Sequence, residues 1–477
     1  MEKIITEVAV IGAGPGGYPA AFALADKGKK VVLIDPEANP GGVCLYRGCI
    51  PSKALLHAAK VAEEARDAED FGLSYGEPKV DPEKLFSWKD GVVAKLTGGL
   101  RSLTKARKIN YVRGRASFTS SGALRVVTNS GEEREVVFQN AIISTGSVSG
   151  KIPGVDFGSR NVVDSDGALS MGEIPSSLLV VGGGYIGLEL GTFFSSLGTE
   201  VTVVEMLPGL LQGIDRDLAA VLKKRLDGKF KSIMLETKLI SLSELDDEVQ
   251  VSFEADGKSF KEKYEKVLIS VGRVPYTEGL GLENTRVTLD GKGFIETDTQ
   301  RKTADPTIFA IGDVAGEPML AHKATYEAKI VAEVITGAKT HYDPRAVPAV
   351  IFTDPEIAWC GMTESEAKET GVEIEVSKFP WAASGRALTL NRTDGLTKII
   401  THRGTGRVVG VGIVGPQAGE LISESVLAIE MGATAEDMAF SIHPHPTLTE
   451  TLMEAAEGIY GASTHIMKRR SGRAPRK

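Results

Sequence analysis

The feature that most limits what this chain can fold into is a strand, glycine turn, helix and strand unit that occurs twice. In the first copy Val8-Ala9-Val10-Ile11 reads as a buried strand, Gly12-Ala13-Gly14-Pro15-Gly16-Gly17 as a GxGxxG turn, Ala20 to Ala25 as helix, and Val31-Val32-Leu33-Ile34 as a second strand ending in Asp35. Glycines at Gly12, Gly14 and Gly17 allow a tight turn whose backbone N–H groups approach a pyrophosphate at the helix N-terminus, and Asp35 is placed to accept a ribose hydroxyl. The second copy begins 170 residues further on, with Leu178 to Val181, then Gly182-Gly183-Gly184-Tyr185-Ile186-Gly187, then Val201-Thr202-Val203-Val204-Glu205. Two dinucleotides are implied. Glu205 suits a free ribose 2′-hydroxyl and repels a 2′-phosphate, and Met206-Leu207-Pro208 brings no arginine beside it, so NAD is favoured over NADP.

Between and after these units lie three apolar strands that end in small residues. Ala141-Ile142-Ile143 runs into Ser144-Thr145-Gly146-Ser147, and Val267 to Val271 runs into Gly272-Arg273-Val274-Pro275. Their matched placement marks the points where each nucleotide-binding domain closes. Thr307 to Ile311 delivers Gly312-Asp313. That carboxylate either caps a helix starting near Ala321 or accepts hydroxyl bonds from a flavin ribityl chain, and the first glycine turn favours the flavin.

Two of the three cysteines, Cys44 and Cys49, stand five residues apart behind Gly41-Gly42. Ile50-Pro51-Ser52 signals a helix start, and Leu55, Leu56, Ala59 and Ala62 continue at helical spacing, so Cys49 falls at or just before a helix N-terminus. There the helix dipole favours a thiolate. On one regular helix the two residues would lie about 7.5 Å apart along the axis, beyond the roughly 6.8 Å Cα limit for a disulfide. Pairing therefore needs a departure from ideal geometry. The bland alternatives are two buried thiols or half of a metal site, but Cys360 is alone and no matching zinc ligands accompany the pair.

The rest of the composition excludes more than it selects. A length of 477 residues fits roughly three domains, a net charge of −8 does not favour nucleic acid, and three cysteines do not make a disulfide-scaffolded secreted domain. No signal peptide or membrane span is read, which makes the cytoplasm the expected compartment.

On these motifs the chain resembles the flavin-dependent pyridine nucleotide–disulfide oxidoreductases over essentially all of residues 4 to 466. The most specific parts are the Cys44–Cys49 segment and His443-Pro444-His445-Pro446-Thr447-Leu448-Thr449-Glu450. The resemblance implies an α/β fold with two Rossmann-like dinucleotide-binding domains and a C-terminal α+β dimerisation domain. The expected boundaries are 1–148 and 273–345 for FAD, 149–272 for NAD, 346–466 for dimerisation and 467–477 for a basic tail. It further implies a Cys44–Cys49 redox disulfide, with Cys44 meeting the substrate sulfur and Cys49 the flavin. His445 becomes the base and Glu450 the group that orients it, which suits a histidine poised near neutral pH; His443 receives no catalytic role.

FAD contacts are expected from Gly12, Gly14, Gly17, Asp35, Lys53, Gly114, Thr145, Gly146, Ser147, Gly312, Asp313 and Ala321. NAD contacts are expected from Gly182, Gly184, Tyr185, Ile186, Gly187, Glu205, Val271 and Gly272, with Glu189 on the nicotinamide side paired to Lys53. No metal is expected. Within the family the likeness points to oxidation of dihydrolipoamide with NAD⁺ by a homodimer, the lipoyl group arriving on an acyltransferase or on the glycine cleavage H protein. An NADH-dependent reductase of another disulfide and a non-catalytic structural subunit are the competing readings. Val43, Tyr46-Arg47, Asp35 and Tyr276 depart from the commoner family residues without touching the reacting atoms.

Overall fold

A computed structural model describes residues 2–155, 158–461 and 463–467 of the chain. Apart from Met467, the basic tail lies outside the described residues. The chain forms two compact units, Met1–Ser176 with Ser241–Val251 and Lys263–Asp343, and Ser177–Ile240 with Ser252–Glu262 and Pro344–Lys477.

The first unit is built on an eight-stranded sheet. Val8–Ile11 lies between Val31–Asp35 and Asn140–Ile143, all parallel, and Ile308–Ala310 extends that edge. On the other side Asn110–Ser120 runs parallel to Val31–Asp35 and then leads into the antiparallel strands Ala123–Thr128 and Glu133–Val137. Side chains alternate along a strand. Val8, Val10 and Leu33 accordingly pack with Ala20, Ala21 and Leu24 of the helix Gly17–Asp26 and with Ala328 and Val331 of the helix Ala321–Ile335. Ala9, Ile11, Val32 and Ile34 take the opposite face with Phe118, Leu124 and Val136. Each fully buried aliphatic contributes about 1.5–3 kcal/mol, so the order of strands that positions the glycine turn is fixed by both faces at once.

The second unit holds two sheets. Ser177–Val181, Glu200–Val204 and Ser232–Met234 are parallel, with the helix Tyr185–Ser196 between the first two strands in sequence. Five antiparallel strands follow, in the order Ala349–Ile351, Glu356–Gly361, Val408–Gly415, Leu396–His402 and Ile374–Pro380. Trp381 is fully buried there, and a Cβ on Gly395 or Gly415 would meet its ring at 2.3 or 2.4 Å. Its indole N–H donates to Thr397 Oγ1 at 2.9 Å, which is itself bonded to Thr451 Oγ1 at 2.8 Å on the helix Glu450–Ile459. That chain ties the helix beginning at Glu450 to the core of the sheet.

One acidic group in this unit, Asp215, Asp217 and Glu364, is filled by lysine. The buried Lys398 ammonium reaches all three carboxylates at 2.6, 2.8 and 3.0 Å. Among the described residues no helix is long and apolar enough to cross a membrane.

Candidate active site

The first glycine turn is shaped by contacts that leave no room for side chains. Gly12 has φ +92°, and a Cβ there would lie 2.2 Å from Ser144 O; a Cβ on Gly17 would meet Gly12 O. The helix then starts at Gly17, so its first N–H groups face the turn. Asp35 closes the arrangement. Its Oδ2 accepts the Ala13 N–H at 2.7 Å and its Oδ1 the Glu37 N–H at 2.9 Å. Burial pushes the Asp35 carboxyl up, against the two amide hydrogen bonds.

The second turn repeats this pattern. Gly182 has φ +108°, Glu205 Oε2 accepts the Gly183 N–H at 2.7 Å, and Glu205 Oε1 accepts the Leu207 N–H at 2.8 Å. Gly184 caps the helix that starts at Tyr185, with open space where its Cβ would be, and Ile186 and Gly187 form the next positions of that helix. Glu189, one turn along, is buried and accepts the Phe352 N–H at 2.9 Å.

Cys44 belongs to a six-residue helix, Gly42–Arg47, and Cys49 opens the helix Cys49–Asp67. Gly48 stands between them at φ −141° and ψ −113°, where a Cβ would lie 3.1 Å from Val43 O and 3.3 Å from Cys44 Cα. This break supplies the departure from regular helix that the spacing requires. The Cys44 thiol is half-buried and hydrogen-bonded to Cys49. That bond, then burial and the neighbouring thiol, push Cys44 up, while Lys53 one turn along pulls it down. Cys49 sits at the helix end that favours negative charge. The arrangement suits a proton shared between two sulfurs, one of which can leave as thiolate.

The flanking turns also converge within the first unit. Ser147 Oγ donates to Asp313 Oδ2 at 2.6 Å and accepts from Arg273 Nε at 2.7 Å. Thr145 Oγ1 donates to Tyr276 O at 2.6 Å, the Tyr276 N–H to Gly146 O at 2.9 Å, and the Gly150 N–H to Gly272 O at 2.8 Å. Val271, beside Gly272, is exposed. The helix at Ala321 is preceded by Leu320 and has no side-chain cap, so Asp313 is not its cap. Gly114 lies within the Asn110–Ser120 strand, where a Cβ would meet Val127 O at 2.5 Å.

The sequence reading missed what stands behind Gly312. The fully buried Glu327 accepts the Gly312 N–H at 2.6 Å and is compensated by Lys323 at 3.1 Å and Arg301 at 3.2 Å. The available signal was the Lys323–Glu327 pair, four residues apart on the helix Ala321–Ile335.

In the second unit, His445 Nδ1 bonds Glu450 Oε1 at 2.9 Å, and Glu450 Oε2 accepts the Thr447 N–H at 2.8 Å. Burial works to raise the Glu450 carboxyl, but the Thr447 amide and His445 outweigh it and hold it below its ordinary value. The His445 side chain is 77% exposed, so its other nitrogen is accessible to a reactant. His443 is different. It is held by Glu424 at 2.9 Å and by Ser441 O at 2.8 Å, with the side chain 5% exposed.

Two glycine turns each closed by an acid, a thiol pair at a helix break and a carboxylate-held histidine define a two-dinucleotide dithiol oxidoreductase. The chain belongs to the pyridine nucleotide-disulphide oxidoreductases, whose family model matches residues 6–328, and the dimerisation domain of the same family matches 347–456. It is therefore a homodimer. Its relatives include the dihydrolipoyl dehydrogenases of Haemophilus influenzae, 46% identical over 465 residues with 98% of this chain and 97% of the relative covered, and of Geobacillus stearothermophilus, 46% identical with 97% and 98% covered. Among solved structures it resembles LpdA from Mycobacterium tuberculosis, with TM-score 0.88, 25% identity and coverage of 95% and 99%. It also resembles the flavoprotein disulfide reductase RclA from Escherichia coli, with TM-score 0.85, 28% identity and coverage of 96% and 99%. FAD and NAD are its cofactors, and the turns fit dinucleotides, since backbone occupies the positions a Cβ would fill at Gly12 and Gly17 and open space the one at Gly184.

Proposed function

We propose that this protein oxidises the dithiol of a dihydrolipoyl group to its disulfide and reduces NAD⁺ to NADH. The observation that supports this most is the thiol pair at the Gly48 break, with Cys49 at a helix N-terminus and the Cys44 thiol hydrogen-bonded to it. Residues 1–148 and 273–345 are assigned to FAD, 149–272 to NAD and 346–466 to the dimer partner. Gly12, Gly14, Gly17 and Asp35 hold the adenosine end of FAD, Ser147, Gly312 and Asp313 its ribityl end, and Lys53 its ring. Gly182, Gly184, Gly187 and Glu205 hold NAD, and Glu189 lies toward its nicotinamide.

When bound, FAD carries the electron pair from the thiol pair to NAD⁺. The chain's own work is sulfur and proton chemistry. With Nδ1 held by Glu450, His445 Nε2 of one subunit takes the proton of a substrate thiol at the disulfide site of the other. The substrate thiolate attacks Cys44 Sγ of the Cys44–Cys49 disulfide, and Cys49 leaves as thiolate at its helix N-terminus. The second substrate thiol then displaces Cys44, which leaves oxidised substrate and two reduced cysteines. The substrate is carried on a lipoyl domain of an acyltransferase or on the glycine cleavage H protein, and the cytoplasm is the assigned compartment.

Anaerobic titration with dihydrolipoamide followed by NAD⁺ tests the proposal, with one NADH expected per dithiol oxidised. NADH-dependent reduction of another disulfide, with no NADH formed from dihydrolipoamide, would overturn it. Glu450→Gln is expected to lower kcat about 10²- to 10⁴-fold at full flavin content.

A further inference from the structure

The helix that carries Cys44 cannot hold itself. It has six residues, and isolated helices shorter than about 12 residues are marginal in water. Its N-terminal end is fixed by packing, since a Cβ on Gly42 would lie 2.4 Å from Gly14 Cα, and Leu45 is buried. The other end abuts the break at Gly48, and its position decides how far Cys44 stands from Cys49. Two side chains that the sulfur chemistry does not use hold that end.

Tyr46 Oη accepts the Asn39 N–H at 3.2 Å and donates to Asn39 O at 3.1 Å. Arg47 Nη1 donates to Glu37 Oε1 at 2.5 Å, and Arg47 Nε lies 3.3 Å from Asp166 Oδ2. Glu37 is itself anchored, because its N–H donates to Asp35 and its carbonyl accepts from Tyr111 Oη at 3.0 Å. A planar guanidinium can bridge two carboxylates from fixed directions, which an ammonium does less well.

We propose that Arg47, supported by Tyr46, is a positioning residue that fixes the end of the Cys44 helix to Glu37 and Asp166 and thereby sets the stability of the Cys44–Cys49 disulfide. This rests on the reading of these cysteines as a redox pair. Oxidation of the two thiols forms one S–S bond and releases two protons and two electrons. In a dithiothreitol buffer the oxidised dithiothreitol takes them up and becomes the dithiol. Loosening the helix end lowers the effective concentration of one sulfur at the other, so the disulfide becomes easier to reduce.

The test is thiol trapping of the FAD-loaded protein equilibrated across a series of reduced-to-oxidised dithiothreitol ratios. Arg47→Gln is expected to reach half-reduction at a ratio about tenfold lower than wild type, about 30 mV for this two-electron couple. Arg47→Lys should fall between them, and Tyr46→Phe should shift the midpoint about twofold. A role confined to general stability would lower flavin content or Tm but leave the midpoint of the loaded protein in place. Loaded Arg47→Gln with the wild-type midpoint overturns the proposal. If Arg47→Gln does not load flavin, Glu37→Gln removes one anchor and carries the same expectation. Wild-type cysteines that form no disulfide at any ratio would overturn the redox reading itself, an outcome distinct from an unshifted midpoint.

Discussion

The two glycine turns share a framework and differ in what covers them. Gly12, Gly14, Gly17 and Asp35 each have a counterpart 170 residues later in Gly182, Gly184, Gly187 and Glu205, and both acids accept one amide from the turn and one from two residues beyond themselves. In the first turn the missing Cβ of Gly14 faces Gly42 Cα at 3.8 Å, and Asp35 is buried. In the second, open space faces Gly184, and the neighbouring Met206 and Tyr185 are exposed. One fold thus makes two kinds of site. A roofed turn suits a cofactor that stays, and an open one suits a cosubstrate that enters and leaves every cycle. The roof is the segment that carries the cysteines, so under the proposed assignment of FAD to this turn the sulfur chemistry lies beside the resident cofactor.

The largest break in this comparison comes from closing the roof too tightly. Gly42 has φ +60°, a region that costs an L-residue roughly 1–2 kcal/mol, and its Cβ would lie 2.4 Å from Gly14 backbone. Gly42→Ala is expected to purify without flavin, measured as loss of the visible absorbance. Gly184→Ala adds a methyl only to open space. It should keep full flavin and raise the KM for NAD⁺ about tenfold, because the backbone can no longer approach the pyrophosphate as closely. Equal flavin loss in both variants would mean that the two turns do not divide the work.

How much of this was legible follows from the range of the interactions. Strands at Val8–Ile11 and Lys266–Ile269 and the helix at Gly17–Asp26 lie within a few residues of where periodicity and glycine spacing put them, because those signals are local. The start of the helix at Cys49 was likewise readable from Ile50-Pro51-Ser52. The six-residue helix before it was not, since Gly41, Gly42 and Gly48 disfavour helix locally and its order comes from Glu37, Asn39 and Asp166. Asp313 reads as a helix cap or a flavin ligand; the helix at Ala321 has no side-chain cap, and the carboxylate accepts instead from Ser147, a tertiary contact no local signal carries. Asp35 and Glu205 were read as ribose acceptors, but their grip on the turn amides depends on how the second strand aligns with the first.

A smaller effect probes the acid of the open turn. Glu205 carries a negative charge where the ribose 2′ position is expected, and Leu207 is exposed beside it. Replacing Glu205 by serine and Leu207 by arginine should shift the ratio of kcat/KM for NAD⁺ over NADP⁺ by about 10- to 100-fold towards NADP⁺, the range of one or two charge-assisted hydrogen bonds. Flavin content should not change. A variant that loses flavin, or keeps its NAD⁺ preference, would detach Glu205 from coenzyme choice.

The smallest effect concerns the acid of the roofed turn. Burial holds the Asp35 carboxyl above its ordinary value, so the folded state binds its proton more tightly than the unfolded state does. Its contribution to stability is therefore full below the unfolded value of about 3.9, and it is lost as pH rises through the higher folded value. This is opposite to Glu450, whose lowered carboxyl contributes above its unfolded value and is lost in acid. Asp35→Asn keeps an acceptor for one amide and removes the buried charge. At pH 7 it should change stability by no more than about 1–2 kcal/mol. As pH rises above about 4, denaturant unfolding of wild type minus variant should show a stability difference that moves in the variant's favour. A difference that runs the other way would mean that the two amides, rather than burial, govern Asp35, and that the first turn is as open to water as the second.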